Sequence, residues 1–91
     1  MSEWDEAKRA TDLAKHGIDL IRGDELFDGR PTFNREAKSD IELRIQTTGL
    51  VDGEFRTLIW TWRGENRRFI SLRSARDEEK RHYRQLHERR N

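Results

Sequence analysis

The feature that most constrains this chain is a change of period at Ile41. From there Ile41, Leu43 and Ile45 fall on one side of an extended backbone, with Glu42, Arg44 and Gln46 on the other. Asp52-Gly53 follows, a pair that favours the positive φ of a tight hairpin turn. Phe55 to Trp62 then reads as a second strand, Gly64-Glu65-Asn66 as a second turn, and Arg67 to Arg73 as a third strand. Three strands joined by short turns predict an antiparallel meander, and the remaining segments must pack around it.

Those segments read as helices. Asp5 is the expected N-cap of a helix over residues 5–16, with Ala7, Ala10, Leu13 and Ala14 as its inward face and Gly17 as its stop. A shorter helix is expected from Asp19 to Phe27, turned inward through Ile18, Ile21, Leu26 and Phe27. Gly23 inside it costs about 1 kcal/mol relative to alanine. Asp28-Gly29-Arg30-Pro31 breaks the chain and residues 32–39 read as a polar loop. Ser74 is the expected cap of a last helix over 75–90, with Asp77 in its first turn and only Ala75, Tyr83 and Leu86 as apolar residues. The prediction is one α+β domain over 1–91, with two N-terminal helices, a three- to four-stranded antiparallel sheet and a C-terminal helix.

Composition decides whether such a chain folds at all. With 41% charged and 32% hydrophobic residues and a mean hydropathy of −1.15, it approaches disordered sequences. The net charge of only +1 and the three Trp and four Phe argue for a folded domain with a dense charged surface. The charge is unevenly spread: residues 1–30 carry five Lys/Arg against eight Asp/Glu, and residues 63–91 carry ten against five. That asymmetry points to a polyanionic or acidic partner. Without cysteine there is no disulfide or thiolate site. Without an apolar run of about 20 residues there is no spanning helix, so a soluble cytoplasmic protein is expected.

Metal chemistry finds little support. Of the three histidines only His82 and His87 are near in sequence, and their separation of five suits neither helical pairing of metal ligands. No cofactor is expected. Metal-free RNA cleavage needs a base for the 2′-hydroxyl, an acid for the leaving oxygen and cations on the phosphorane. The candidate parts are Lys15 and His16 at a helix end, Glu42 and Arg44 on the first strand, and Arg68 and Arg73 on the third. Arg56, Arg76, Trp60 and Tyr83 are candidate RNA contacts. Trp60 and Trp62 share one side of their strand, where either core packing or base stacking uses them. Regular pleating aims Arg68 and Arg73 to opposite faces, so a joint role requires a bulge or twist between them.

Trp4-Asp5-Glu6-Ala7-Lys8 with Leu13-Ala14-Lys15-His16-Gly17-Ile18 resembles the opening of BrnT-family toxins of bacterial type II toxin–antitoxin systems. Leu26-Phe27-Asp28, Ser39-Asp40-Ile41-Glu42-Leu43-Arg44, Arg63-Gly64, and Arg68-Phe69-Ile70-Ser71-Leu72-Arg73-Ser74-Ala75 with Glu79 and Tyr83 continue the resemblance in order. It implies a RelE-like fold and a ribonuclease that cleaves RNA and arrests growth, which the residues above are expected to do without a metal. It also implies a neighbour-encoded ribbon-helix-helix antitoxin, BrnA, in a complex with two copies of each chain that reaches operator DNA only through the antitoxin. Carried over by position, Lys15, His16, Glu42, Arg44, Trp60, Arg68 and Arg73 are the residues at issue. The family has a short apolar strand before its Trp-Asp pair. Here only Met1-Ser2-Glu3 precede Trp4, so that edge strand is expected to be short or absent. Asp12 stands where asparagine is common, and Thr48-Gly49 where the family often has Ile-Gly. From a different class, a non-catalytic module that regulates transcription with its partner fits the same residues.

Overall fold

The structure is a computed structural model that describes residues 1–88. The hairpin forms where alternation and turn chemistry place it. Strand β3 (Leu43–Val51) and strand β4 (Glu54–Arg63) are antiparallel. They meet at Asp52 and Gly53, both with positive φ (55° and 77°), the conformation that matches a tight turn to strand twist. β5 (Asn66–Ser74) returns antiparallel along β4.

Two further strands correct the expected meander. Residues 33–38 are not a loop but β2 (Phe33–Lys38), antiparallel to β3. An edge strand needs no apolar run when one of its rows is solvated. Its polar side chains bond across the ladder instead, Arg35 to Gln46 and Thr47 to Asn34. At the other edge β1 (Ser2–Glu3) pairs parallel with β5, opposite Arg67 and Arg68. The sheet is therefore five-stranded and mixed, in the order β1-β5-β4-β3-β2.

The core lies on one sheet face, where Leu58, Trp60, Phe69, Leu72 and Val51 meet Ile18, Leu20 and Leu26. The second helix is a 3₁₀ helix, Leu20–Phe27, capped by Asp19. Its buried residues Leu20, Gly23 and Leu26 recur every third position, the period of a helix with three residues per turn. A Cβ on Gly23 would stand 2.9 Å from a Leu58 methyl and 3.1 Å from the Phe69 ring, so glycine there permits the close approach.

Helix α1 (Glu6–His16) is capped by Asp5 as expected and ends at Gly17 with φ 70°. Its inward face is not the alanine face. Ala7, Ala10, Leu13 and Ala14 are exposed, whereas Asp12 is buried and Arg9 and His16 are half-buried. Alanine buries too little area to set the docking. An ion pair to the next helix sets it instead, Arg9 gripping Asp19 with two bonds of 2.7 and 2.9 Å, while Lys8 and Asp12 pair within α1 at 3.1 Å. Trp4 stacks on Phe69, their centroids 6.3 Å apart, and pins the helix to the sheet. Helix α2 (Asp77–His87) is shorter than predicted, and its N-cap position is Arg76 rather than Ser74, with the Arg76 N–H donating to the Glu79 carboxylate; residues 89 and 90 of the expected helix lie outside the described residues. It rests on β2 and β3 over one end of the second sheet face. Among the described residues no helix is long and apolar enough to cross a membrane.

Candidate functional site

Register settles which arginines share a face. Arg73 stands opposite Thr57 and Arg68 opposite Thr61, and residues four apart on one strand point the same way. Between them Ile59 pairs with Ser71 and Trp60 with Phe69, which leaves Ile70 without an opposite. This is a β-bulge, one extra residue that flips every side chain beyond it. Arg68 and Arg73 therefore project from the same face, the one away from the core. Gln46, opposite Ile59, and Arg35, opposite Gln46, extend that face across β3 and β2. Arg44 and Arg63, each two residues from a member of the row, belong to it as well.

The two halves of this face differ. Under α2 it is closed: Glu79 is fully buried and accepts from both terminal nitrogens of Arg73 at 2.8 and 3.0 Å, from Thr57 Oγ1 at 2.9 Å and from the Arg76 N–H at 2.8 Å. Burial alone pushes the Glu79 carboxyl up. The hydrogen bonds from Arg73, Arg76 and Thr57 outweigh it and hold the group at about 2. Arg35 joins the cluster through Glu78 at 2.6 Å. Arg73 thus anchors α2 to the sheet, a structural task that the sequence reading did not assign to it.

Beyond α2 the face is open. Among the described residues Arg68 has only a loose partner, Glu3 at 3.8 Å. Arg44 and Arg63 share Glu42, at 3.5 and 4.0 Å, and the buried Arg44 Nε has no hydrogen-bond partner among the described residues. Arg68 also lines a hollow of about 160 Å³ with Asp5, Lys8, Phe69 and Ile70. Lys8 is a cation the sequence reading passed over; nothing in its spacing connects the first turn of α1 with the start of β5.

Other predicted residues lie elsewhere. Gly17, next to Lys15 and His16, borders a separate hollow of about 420 Å³ with Asp19, Arg22, Asp52, Glu54 and Arg56, beside the β3–β4 turn. That is the Ser74 end of β5, roughly 15–20 Å from Arg68 by strand rise. Arg56 projects from the core-side face, opposite Ser74, and bonds Glu54 and Ser74. Trp60 is 5% exposed and its indole N–H donates to Thr47 Oγ1 at 2.8 Å, so it is core and no open platform. Trp62 is the accessible ring. Tyr83 is buried against Phe55 and His87 and does not reach the open half. Arg76 is exposed at the start of α2. Among the described residues no three His, Asp or Glu side chains gather as metal ligands.

What remains is a bulged sheet face that presents Arg44, Arg63 and Arg68 to solvent with Lys8 at its margin. A family model described as the ribonuclease toxin, BrnT, of type II toxin–antitoxin systems matches residues 4–79. The chain belongs to the BrnT family. No curated protein matches it. The BrnT match runs from the Trp4 that stacks on Phe69 to the Glu79 that holds Arg73. It therefore spans the bulge and both halves of the face.

Proposed function

We propose that this BrnT-family chain is a RelE-like toxin, one domain over 1–91, that cleaves RNA in the cytoplasm without a metal and so arrests translation and growth. A BrnA-like ribbon-helix-helix antitoxin neutralises it in a complex with two copies of each chain, and operator DNA is reached only through that antitoxin. The observation that carries the reading is the bulge at Ile70, which gathers Arg68 with Arg44 and Arg63 on a face α2 leaves open.

The reaction is attack of the ribose 2′-oxygen on the adjacent phosphorus, which expels the 5′-oxygen and leaves a cyclic phosphate. Arg68 and Arg44 hold the phosphate and stabilise the charge that develops on its oxygens. Glu42, between Arg44 and Arg63, takes the 2′-hydroxyl proton. Lys8, which lines a hollow with Arg68, is the candidate acid for the departing oxygen. Arg73 serves the site by fixing α2 through Glu79, and Lys15 and His16 have no part in the chemistry.

The test is cleavage of total RNA by the purified protein in the presence of a chelator, beside Arg68→Ala and Arg73→Ala. Arg68→Ala is expected to slow cleavage by about 10²-fold or more with its fold intact. Arg73→Ala is expected to lose stability first. Equal cleavage by wild type and Arg68→Ala removes Arg68 from the site. No cleavage by the wild type leaves the non-catalytic, transcription-regulating module.

A further inference from the structure

The core-side face of the sheet does not end where the 3₁₀ helix stops covering it. At the far end of the hairpin Trp62 and Leu43 are each 51% exposed, and Ile41 just before β3 is 89% exposed. The ladder pairs Ile45 with Trp60, so two residues on it sets Leu43 opposite Trp62; Thr61 Oγ1 donates to the Leu43 carbonyl at 2.7 Å. Arg67 stands opposite Trp62 on β5. Leu43, Trp62 and Arg67 thus form one row across three strands, on the face opposite Arg68.

Arg67 is the unusual member. Its guanidinium lies 4.0 Å from the centroid of Phe27, 5.3 Å from that of Trp62 and 5.7 Å from that of Trp60. Its Nε is buried without a hydrogen-bond partner among the described residues. Arg9, Arg22, Arg30, Arg35 and Arg73 all hold a carboxylate within 3 Å, whereas Arg67 forms no ion pair among the described residues. Aromatic rings orient a cation but do not neutralise it, and a partly desolvated charge gains most from an acid that arrives with its own apolar neighbours. An exposed Trp beside an unpaired Arg, rimmed by aliphatic side chains, is also the composition of a protein-binding hot spot.

We propose that the Leu43–Trp62–Arg67 row docks the antitoxin of this toxin's own pair. The docked segment sets an apolar side chain on Trp62 and Leu43 and a carboxylate on Arg67. The proposal rests on the toxin reading only in taking an antitoxin as the partner. RNA is the poorer occupant, because the row faces away from Arg44, Arg63 and Arg68 and its one cation is held among rings.

The experiment titrates the full chain with the purified product of the adjacent reading frame and measures RNA cleavage of the same samples without that product. Trp62→Ala and the exposed-site variant Leu43→Asp are each expected to weaken the complex at least about tenfold. Their cleavage should match the wild type, and their unfolding curves check that affinity is compared between folded proteins. Arg67→Ala is expected to weaken it similarly, with Leu86→Ala on α2 as a neutral control. Affinities unchanged in Trp62→Ala and Leu43→Asp overturn the proposal. So does a loss of cleavage with affinity intact, which makes the row an RNA platform. Cleavage by the wild type is scored separately, so its absence counts against the ribonuclease reading alone.

Discussion

Glu79 shows what a single residue does in this fold. It is fully buried, which by itself raises its pKa above the ordinary 4.5. The two Arg73 bonds, the Arg76 N–H and the Thr57 hydroxyl reverse this and bring it to about 2. A carboxyl whose pKa is depressed on folding stabilises the native state above its unfolded value. It loses that contribution as pH falls through the folded one, so the window here runs from about 4.5 down to 2. The contribution is on the order of 3 kcal/mol. Urea unfolding of the wild type should therefore weaken steeply across that window. Glu79→Gln should be less stable near neutrality and lose much of the acid dependence. An acid limb as steep in Glu79→Gln would assign it to other pairs such as the half-buried Asp19–Arg9. The sequence reading quoted Glu79 but gave it no task, because an acid six residues after Arg73, across a strand end and a helix start, follows no period. From sequence Arg73 looks like a free cation for a phosphate for the same reason: a cation's partner is fixed by tertiary packing.

At the scale of elements, turn and cap chemistry was legible and packing was not. Asp5, Gly17, Asp19 and Asp52-Gly53 mark boundaries that the structure keeps, since each acts through its own backbone. β2 was invisible because a solvated edge strand carries no alternation to read. The bulge was foreseen only as a requirement of Arg68 and Arg73, since Ile70 looks like any other strand residue. By helix propensity alone Gly23 is a weakness, whereas in the fold it is a packing requirement. Gly23→Ala would gain about 0.5–1 kcal/mol from backbone entropy and helix propensity alone. The added methyl would sit 2.9 Å from Leu58 and 3.1 Å from Phe69, both side chains buried, and overpacking of that kind costs about 1–3 kcal/mol. The expected outcome is a net loss in thermal or urea unfolding. A variant as stable as the wild type would mean that the 3₁₀ helix slides outward at little cost.

For the molecule as a whole, the sequence asymmetry between an acidic front and a basic back does not survive as a simple dipole. Arg68 lies near Glu3 of the first strand, Arg73 is neutralised by Glu79, and Arg84 and Lys80 have acids on their own helix. The open half of the sheet keeps the surplus, with Arg44 and Arg63 sharing one carboxylate and Arg68 loosely held. An RNA strand laid on that face displaces counterions in proportion to the phosphates it brings to those cations. For single strands the logarithm of affinity falls by about 0.7 per phosphate per logarithm of salt, so three cations predict a slope near −2. The measurement is binding of an RNA analogue that lacks the attacking 2′-hydroxyl, between about 50 and 200 mM salt, the range over which such slopes are read. Arg68→Ala should make the slope shallower by about 0.7, whereas Arg56→Ala, on the other face, should leave it unchanged. A slope near zero, or an equal effect of both variants, would mean that the polyanion binds somewhere other than the face the bulge creates.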